Sequence, residues 1–310
     1  MRKAATSVLM AVGIAAGLCL TPAHAQLART FVSAATGDDA NNCDRPTPCR
    51  TFQAAHDKTF DQGEVTVLDP GGYGAVRITK SISIVNDGVG AAGMLVSGGG
   101  AGITIDAPSA GYVNLRGITI QGIGGSNGIR FNSGFALTIE NCVVRSHSND
   151  GIKFLPTGSS NLAVSNTLVA DNGGDGILVF PQGSGSAKAA FNRVEAYNNK
   201  GAGIDLDGVF TTGAIDATVM DSVAAGNAFA GYRALSRSAS TRLLVMRSVA
   251  VNNGNGVVAD GGTLRFGQST ITGNTTSWVQ GAGGILRSYG DNNIDGNGDG
   301  DPAPPPTANK

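Results

Sequence analysis

Asp205 and Asp207, in Gly203-Ile204-Asp205-Leu206-Asp207, are the residues whose type and spacing bear most directly on chemistry. In an extended segment alternate side chains share a face, so the two carboxylates point the same way. Arg233 and Lys153 hold equivalent places in Gly231-Tyr232-Arg233 and Gly151-Ile152-Lys153. Paired carboxyl groups suit glycoside hydrolysis, and carboxylates with a basic residue suit proton abstraction beside a neutralised acid. The same residues allow a reading without chemistry, in which Asp205 and Arg233 form a surface ion pair worth at most about 1 kcal/mol. The sequence shows no third carboxylate on the adjoining segment, no histidine in this column and no Asp-Pro-His run. Asp205, Asp207, Arg233 and Lys153 are therefore catalytic candidates in a chain read first as non-catalytic.

The elements that would position these residues repeat. A glycine followed by an aliphatic or aromatic residue recurs as Gly128-Ile129, Gly151-Ile152, Gly176-Ile177, Gly203-Ile204, Gly231-Tyr232, Gly256-Val257 and Gly284-Ile285. Between these markers lie short apolar-alternating strands and Gly/Asn/Asp/Ser turns, with scarcely any helical periodicity after residue 62. A unit of this size cannot bury its own apolar face, but stacked coils can, each strand pairing in parallel with those above and below. The period predicts an all-β fold, a right-handed single-stranded parallel β-helix. Neither the short hexapeptide period nor the Gly-Gly-x-Gly-x-Asp calcium period of other solenoids is present. Asn172, Asn199, Asn227 and Asn252 stand five residues before their markers and are read as a structural ladder through the turns. His147 falls in the same place one coil earlier and is read as a substitute rung.

Alternation then gives an outward column after each marker: Arg130, Lys153, Leu178, Asp205, Arg233, Val258 and Leu286. Two residues further on stand Asn132, Leu155, Phe180, Asp207, Leu235, Asp260 and Ser288. Arg130, Lys153, Phe180, Asp205 and Asp207 are the candidate ligand-binding residues of a lateral groove. Trp278 joins them if the long turn Thr275–Gln280 presents it as an aromatic platform; the alternative is a tuck over the last coil. Phe131, Phe154 and Tyr232 count as inward. Asp295, Asn297 and Asp299 match the first half of a calcium-binding loop without its closing Glu, so no cofactor is expected, with calcium at these residues the exception.

Residues 1–25 read as a secretory leader, from Arg2 and Lys3 through an apolar run to Ala23-His24-Ala25. That run is too short for a permanent membrane span, and no later segment is longer. The 22 basic residues, less Arg2 and Lys3, leave 20 against 23 acidic ones, a net charge of −3 for the remainder. Such a balance lacks the basic field that nucleic acid requires. Cys43 and Cys49 lie close together in a Pro-rich loop of an exported chain and are expected to pair. Cys142, in an apolar strand, is read as a buried inert thiol, and Cys19 leaves with the leader.

Over residues 30–294 the chain resembles bacterial right-handed β-helix proteins of the pectin-lyase-like superfamily. The coils with Asn five residues before Ile or Val carry the resemblance, together with Thr30-Phe31-Val32-Ser33 and Pro48-Cys49-Arg50-Thr51-Phe52-Gln53-Ala54-Ala55. The resemblance implies that the latter stretch forms a short helix capping the first coil. Leader, cap, repeat and tail composition together divide the chain into a leader (1–25), a cap segment (26–62), a β-helix (63–294) and a flexible tail (295–310). With the leader, which makes the protein secreted, periplasmic or extracellular, the resemblance implies one that interacts with polysaccharide or a cell-surface glycan without catalysis. A polysaccharide lyase or hydrolase, and an adhesin or structural surface protein, are the alternatives.

Overall fold

The computed structural model describes residues 27–308, so the expected leader lies outside the described residues. The chain coils into a parallel solenoid with three stacks of strands, here called ladders A, B and C. Each coil runs B, C, A. Ladder A is the nine-stranded sheet from Val76–Ile78 to Thr276–Gln280, and it contains the marker strands, among them Ile129–Ser133, Ile152–Phe154, Ile177–Val179, Ala202–Gly208 and Ala230–Ser236. Ladder B begins with Leu27–Val32 and Thr59–Val67 and ends at Ile285–Ser288. Ladder C consists of short strands such as Val143–Arg145 and Val249–Val251.

The marker glycine has a steric cause. A Cβ on Gly176 would lie 2.6 Å from the carbonyl oxygen of Gly203, and one on Gly203 would lie 2.8 Å from that of Gly231. Inside ladder A the residues after the glycines stack as Ile129, Ile152, Ile177, Ile204, Tyr232 and Val257, all buried, with Phe131 over Phe154 at 4.3 Å between ring centroids. The bend from B to C is made by one residue in the left-handed region: Asn141, Asn166, Arg193, Asp221, Arg247 and Gln268, with φ between 47° and 52°. Non-glycine residues hold that conformation when stacking overdetermines it.

The bend from C to A carries the asparagine ladder. Asn172, Asn199, Asn227, Asn253, Asn274 and Asn297 are buried, and each Nδ2 donates to the Oδ1 of the next at 2.9–3.0 Å. Each Oδ1 also accepts the backbone N–H of the preceding rung, as Asn227 Oδ1 does from Asn199 at 3.1 Å. Asn252 is not a rung: it takes the left-handed position, φ 56°, and Asn253 fills the ladder because that turn is one residue shorter. His147 heads the column, its N–H donating to Asn172 Oδ1 at 3.1 Å.

Helix α1, Phe52–Lys58, covers the first coil, with Thr51 accepting the Ala54 N–H at its N-cap. Cys43 and Cys49 form a disulfide, Cα atoms 4.6 Å apart, and both are fully buried. The segment expected to cap also builds the sheet, since Leu27–Val32 pairs in parallel with Thr59–Val67. At the far end residues 296–308 fold back rather than trail: Asn297 is a rung, the Trp278 Nε1–H donates to Pro302 O at 2.8 Å, and Ser288 pairs with Pro306. Cys142 is buried, and burial pushes its thiol up to about 11.

Candidate functional site

The outward side of ladder A brings the expected residues into register. Arg130 lies beside Lys153, Lys153 beside Leu178, Leu178 beside Asp205, and Asp205 beside Arg233. This column is not an open groove in its middle coils. Leu178, Asp205, Leu235 and Val258 are buried, as are Ala202 and Ala230 behind them. Arg233 lies over the Phe229 ring at 5.1 Å, and Phe180 meets Phe210 edge-on at 5.5 Å, with the Phe229 and Phe210 rings themselves exposed. The Asp205–Arg233 ion pair exists, at 2.9 Å between Oδ2 and Nη1, but it is interior rather than on the surface.

A third carboxylate is present. Asp175, on the coil before Asp205, stands ahead of its marker glycine, so a column read only forward from the glycines passes over it. Its Oδ1 accepts the Ala202 N–H at 2.6 Å. Burial, opposed by this hydrogen bond, and then the charge of Asp150 raise its carboxyl to about 6. Asp205 is held well above the ordinary carboxylate range, first by burial and next by Asp175, with Arg233 pulling the other way. Asp205 Oδ1 and Arg233 Nε are buried without hydrogen-bond partners. Asp150 pairs with Lys153 at 3.0 Å, and Asp207 Oδ1 accepts the Val209 N–H. Arg130 is exposed and donates to Asn132. A buried cluster of this kind perturbs proton affinity without offering a polymer access to Asp205, which is 2% exposed.

Trp278 is not on a loop platform. It lies in the last strand of ladder A, in register with Val257 and packed on the core. Ser277 replaces the marker glycine here, which moves a glycine-based count on to Gly284-Ile285. That pair opens a B strand, whose Leu286 pairs with Leu264 and points inward, as does Ser288. Among the calcium candidates, Asn297 serves the ladder, Asp299 Oδ2 accepts from the N–H and hydroxyl of Ser277, and Asp295 ends an exposed strand. Among the described residues no three His, Cys, Asp or Glu side chains are grouped to hold a metal.

The open groove lies on the outward side of ladder B. There a cavity of about 610 Å³ runs from Ala136 to Tyr289. Its floor is the register column Thr138, Ala163, Ala190, Thr218, Leu244 and Arg265, whose small central residues give it depth. A parallel column carries the charge: Asn161, Lys188, Asp216 and Arg242. Asp216 and Arg242 form a two-point ion pair. Lys188 and Arg265 are exposed and, among the described residues, have no ion-pair partner. At about 4.8 Å per coil, Lys188 and Arg265 stand roughly 14 Å apart along the axis.

The sequence matches the family model for the right-handed β-helix region over residues 63–211 and, overlapping, over 101–298. The chain belongs to the right-handed β-helix family. Among solved structures it is similar to one titled as the crystal structure of pectate lyase Pel9A, with a TM-score of 0.52 and 18% identity over 84% of this chain and 74% of that one. At that identity the likeness is one of fold. No curated protein matches the sequence. No helix among the described residues is long and apolar enough to cross a membrane.

Proposed function

We propose that this β-helix binds an extended acidic polysaccharide in the ladder B groove, outside the cell or in the periplasm, without cleaving it. The observation that carries the reading is the pair of uncompensated cations, Lys188 and Arg265, spaced along a shallow groove several coils long. Saccharide chains bind in such grooves through charge, hydroxyl contacts and shape rather than through enclosure, and the Asp216–Arg242 pair fixes one wall while leaving the two cations to the ligand. The fold likeness to a protein titled pectate lyase and the buried disulfide support an exported, polysaccharide-facing role.

The second reading is a hydrolase or lyase using Asp205 and Asp207 with Arg233 or Lys153. The raised proton affinity of Asp205 favours it, since a general acid must hold its proton near neutrality. Its burial weighs against it. Isothermal titration with acidic and neutral oligosaccharides, run alongside assays for reducing ends and unsaturated products with and without calcium, tests both. Acidic-glycan binding weakened about tenfold in Lys188→Ala or Arg265→Ala, with no products, is expected. Turnover abolished by Asp205→Asn would replace the binding reading with the enzymatic one. Binding indifferent to both cations would remove the groove from consideration.

A further inference from the structure

The groove has a second chemical half. Toward the N-terminal coils, on the same ladder B face, Tyr112 is 55% exposed and Phe135 38% exposed, their ring centroids 5.1 Å apart at 55°. Phe60, Phe210 and Phe229 are exposed as well, but of the exposed aromatic rings among the described residues only Tyr112 and Phe135 pack on each other. Tyr112 is in register with Ala136, where the 610 Å³ cavity begins, so the aromatic pair continues that groove. Beneath it lies a hollow of about 310 Å³ lined by Gln62, Ser81, Ser83, Tyr112 and Asn114, polar but without a formal charge. The nearest cation along the strand, Arg116, is paired with Asp87 at 3.0 Å. The Asn114 Nδ2–H donates to the Ser83 hydroxyl at 3.2 Å, leaving the amide oxygen of Asn114 and the Ser83 O–H to face a ligand.

We infer that Tyr112 and Phe135, with Ser83, Asn114 and Gln62, form a subsite for an uncharged sugar ring. The assignment rests on the groove reading above and narrows its ligand to a polysaccharide that mixes neutral and acidic sugars. An apolar ring stacks on the C–H face of a pyranose, while amide and hydroxyl groups at its edge exchange hydrogen bonds with equatorial hydroxyls. An acidic sugar gains nothing here, because no unpaired cation lines the hollow to repay its desolvation. Three coils separate Tyr112 from Lys188 through Ala136 and Asn161, about 14 Å at about 4.8 Å per coil, or the length of roughly three sugars. The ligand therefore carries its neutral sugars toward the N-terminal coils and an acidic one about three positions away.

The test is titration of the full mature chain with neutral hexasaccharides (cello-, manno- and xylohexaose) and with hexagalacturonate, in wild type, Tyr112→Ala, Phe135→Ala and Lys188→Ala. Both aromatic side chains project from the surface, so melting curves of these variants should match wild type and keep the comparison one of binding. The expected result is that at least one neutral hexasaccharide binds, weakens about tenfold in Tyr112→Ala, and is unchanged in Lys188→Ala. Binding of hexagalacturonate alone would overturn the neutral subsite and leave the acidic groove standing. Binding of neutral chains alone would keep the subsite and overturn the acidic reading. Neutral binding insensitive to both Tyr112→Ala and Phe135→Ala, or no binding of either class, would overturn the subsite.

Discussion

Replacing Asp175 by Asn should make the protein more stable at neutral and alkaline pH. Burial, against the Ala202 N–H, and then the charge of Asp150 lift the Asp175 carboxyl to about 6, against an ordinary 3.8. A group whose folded affinity for protons exceeds its unfolded one destabilises the fold once both states are ionised. Here that cost is about 3 kcal/mol as an upper bound, present above pH 6 and relieved as pH falls through 6 toward 4. Asparagine keeps an oxygen for the 2.6 Å hydrogen bond from Ala202 N–H, removes the charge and takes a repulsive neighbour away from Asp205. At roughly 2 °C per kcal/mol for a chain of this size, the variant should melt higher at pH 8, by up to about 6 °C, and at the same temperature as wild type near pH 4. Thermal unfolding followed by circular dichroism across that range measures the difference. A variant less stable than wild type at pH 8, or a gain that does not shrink with acid, would refute the electrostatic account of this cluster.

Three further outcomes follow from the same structure. Asn227→Ala removes donors to Asn253 Oδ1 and Ala196 O, orphans the Asn199 N–H and leaves the Asn199 Nδ2 with Val169 O alone, so urea unfolding should show a loss of about 3 kcal/mol; under 1 kcal/mol would mean the ladder is decorative. Burial lowers the proton affinity of both His56 and His147, so their contribution to stability is present above about pH 6.5 and is lost as pH falls below it; His147→Asn, which supplies a proper rung, should flatten the wild-type decline between pH 7 and 5. The Cys43→Ser, Cys49→Ser pair should cost about 2 kcal/mol, measured by denaturation without reductant, and equal stability of variant and wild type there would discount the staple.

The coil was legible in the sequence because its cause is local and repeated. A glycine that faces the next coil's carbonyl oxygen must recur at every turn, and the residue after it must fill the core. The same regularity misled wherever one coil departed from it. Asn253 lost its place to Asn252 because the shorter turn kept the spacing of five for the wrong asparagine, and Trp278 was lost to a loop because Ser277 stands where glycine was sought. Asp175 escaped because it precedes the glycine, on a part of the coil whose direction alternation alone does not give. The open groove left the faintest trace. Its depth comes from Ala163 and Ala190, which carry no chemical signal, whereas the conspicuous charges of Asp205 and Arg233 belong to a face that the chain covers with its own side chains.

Asp301 gives the column of asparagines a last word. Its Oδ1 accepts from both the N–H and the Nδ2 of Asn297, at 2.9 and 2.7 Å, as another asparagine would, but as a carboxylate it has nothing to pass on. Every interior joint is thus interchangeable, and only the two ends, His147 and Asp301, are unique. A whole coil copied in between Asn199 and Asn227 would find a donor on one side and an acceptor on the other, and would lengthen the groove by about 4.8 Å, one sugar's reach, without disturbing either end. The grammar of the ladder lets this protein grow by gene duplication in the middle while its full stop stays in place.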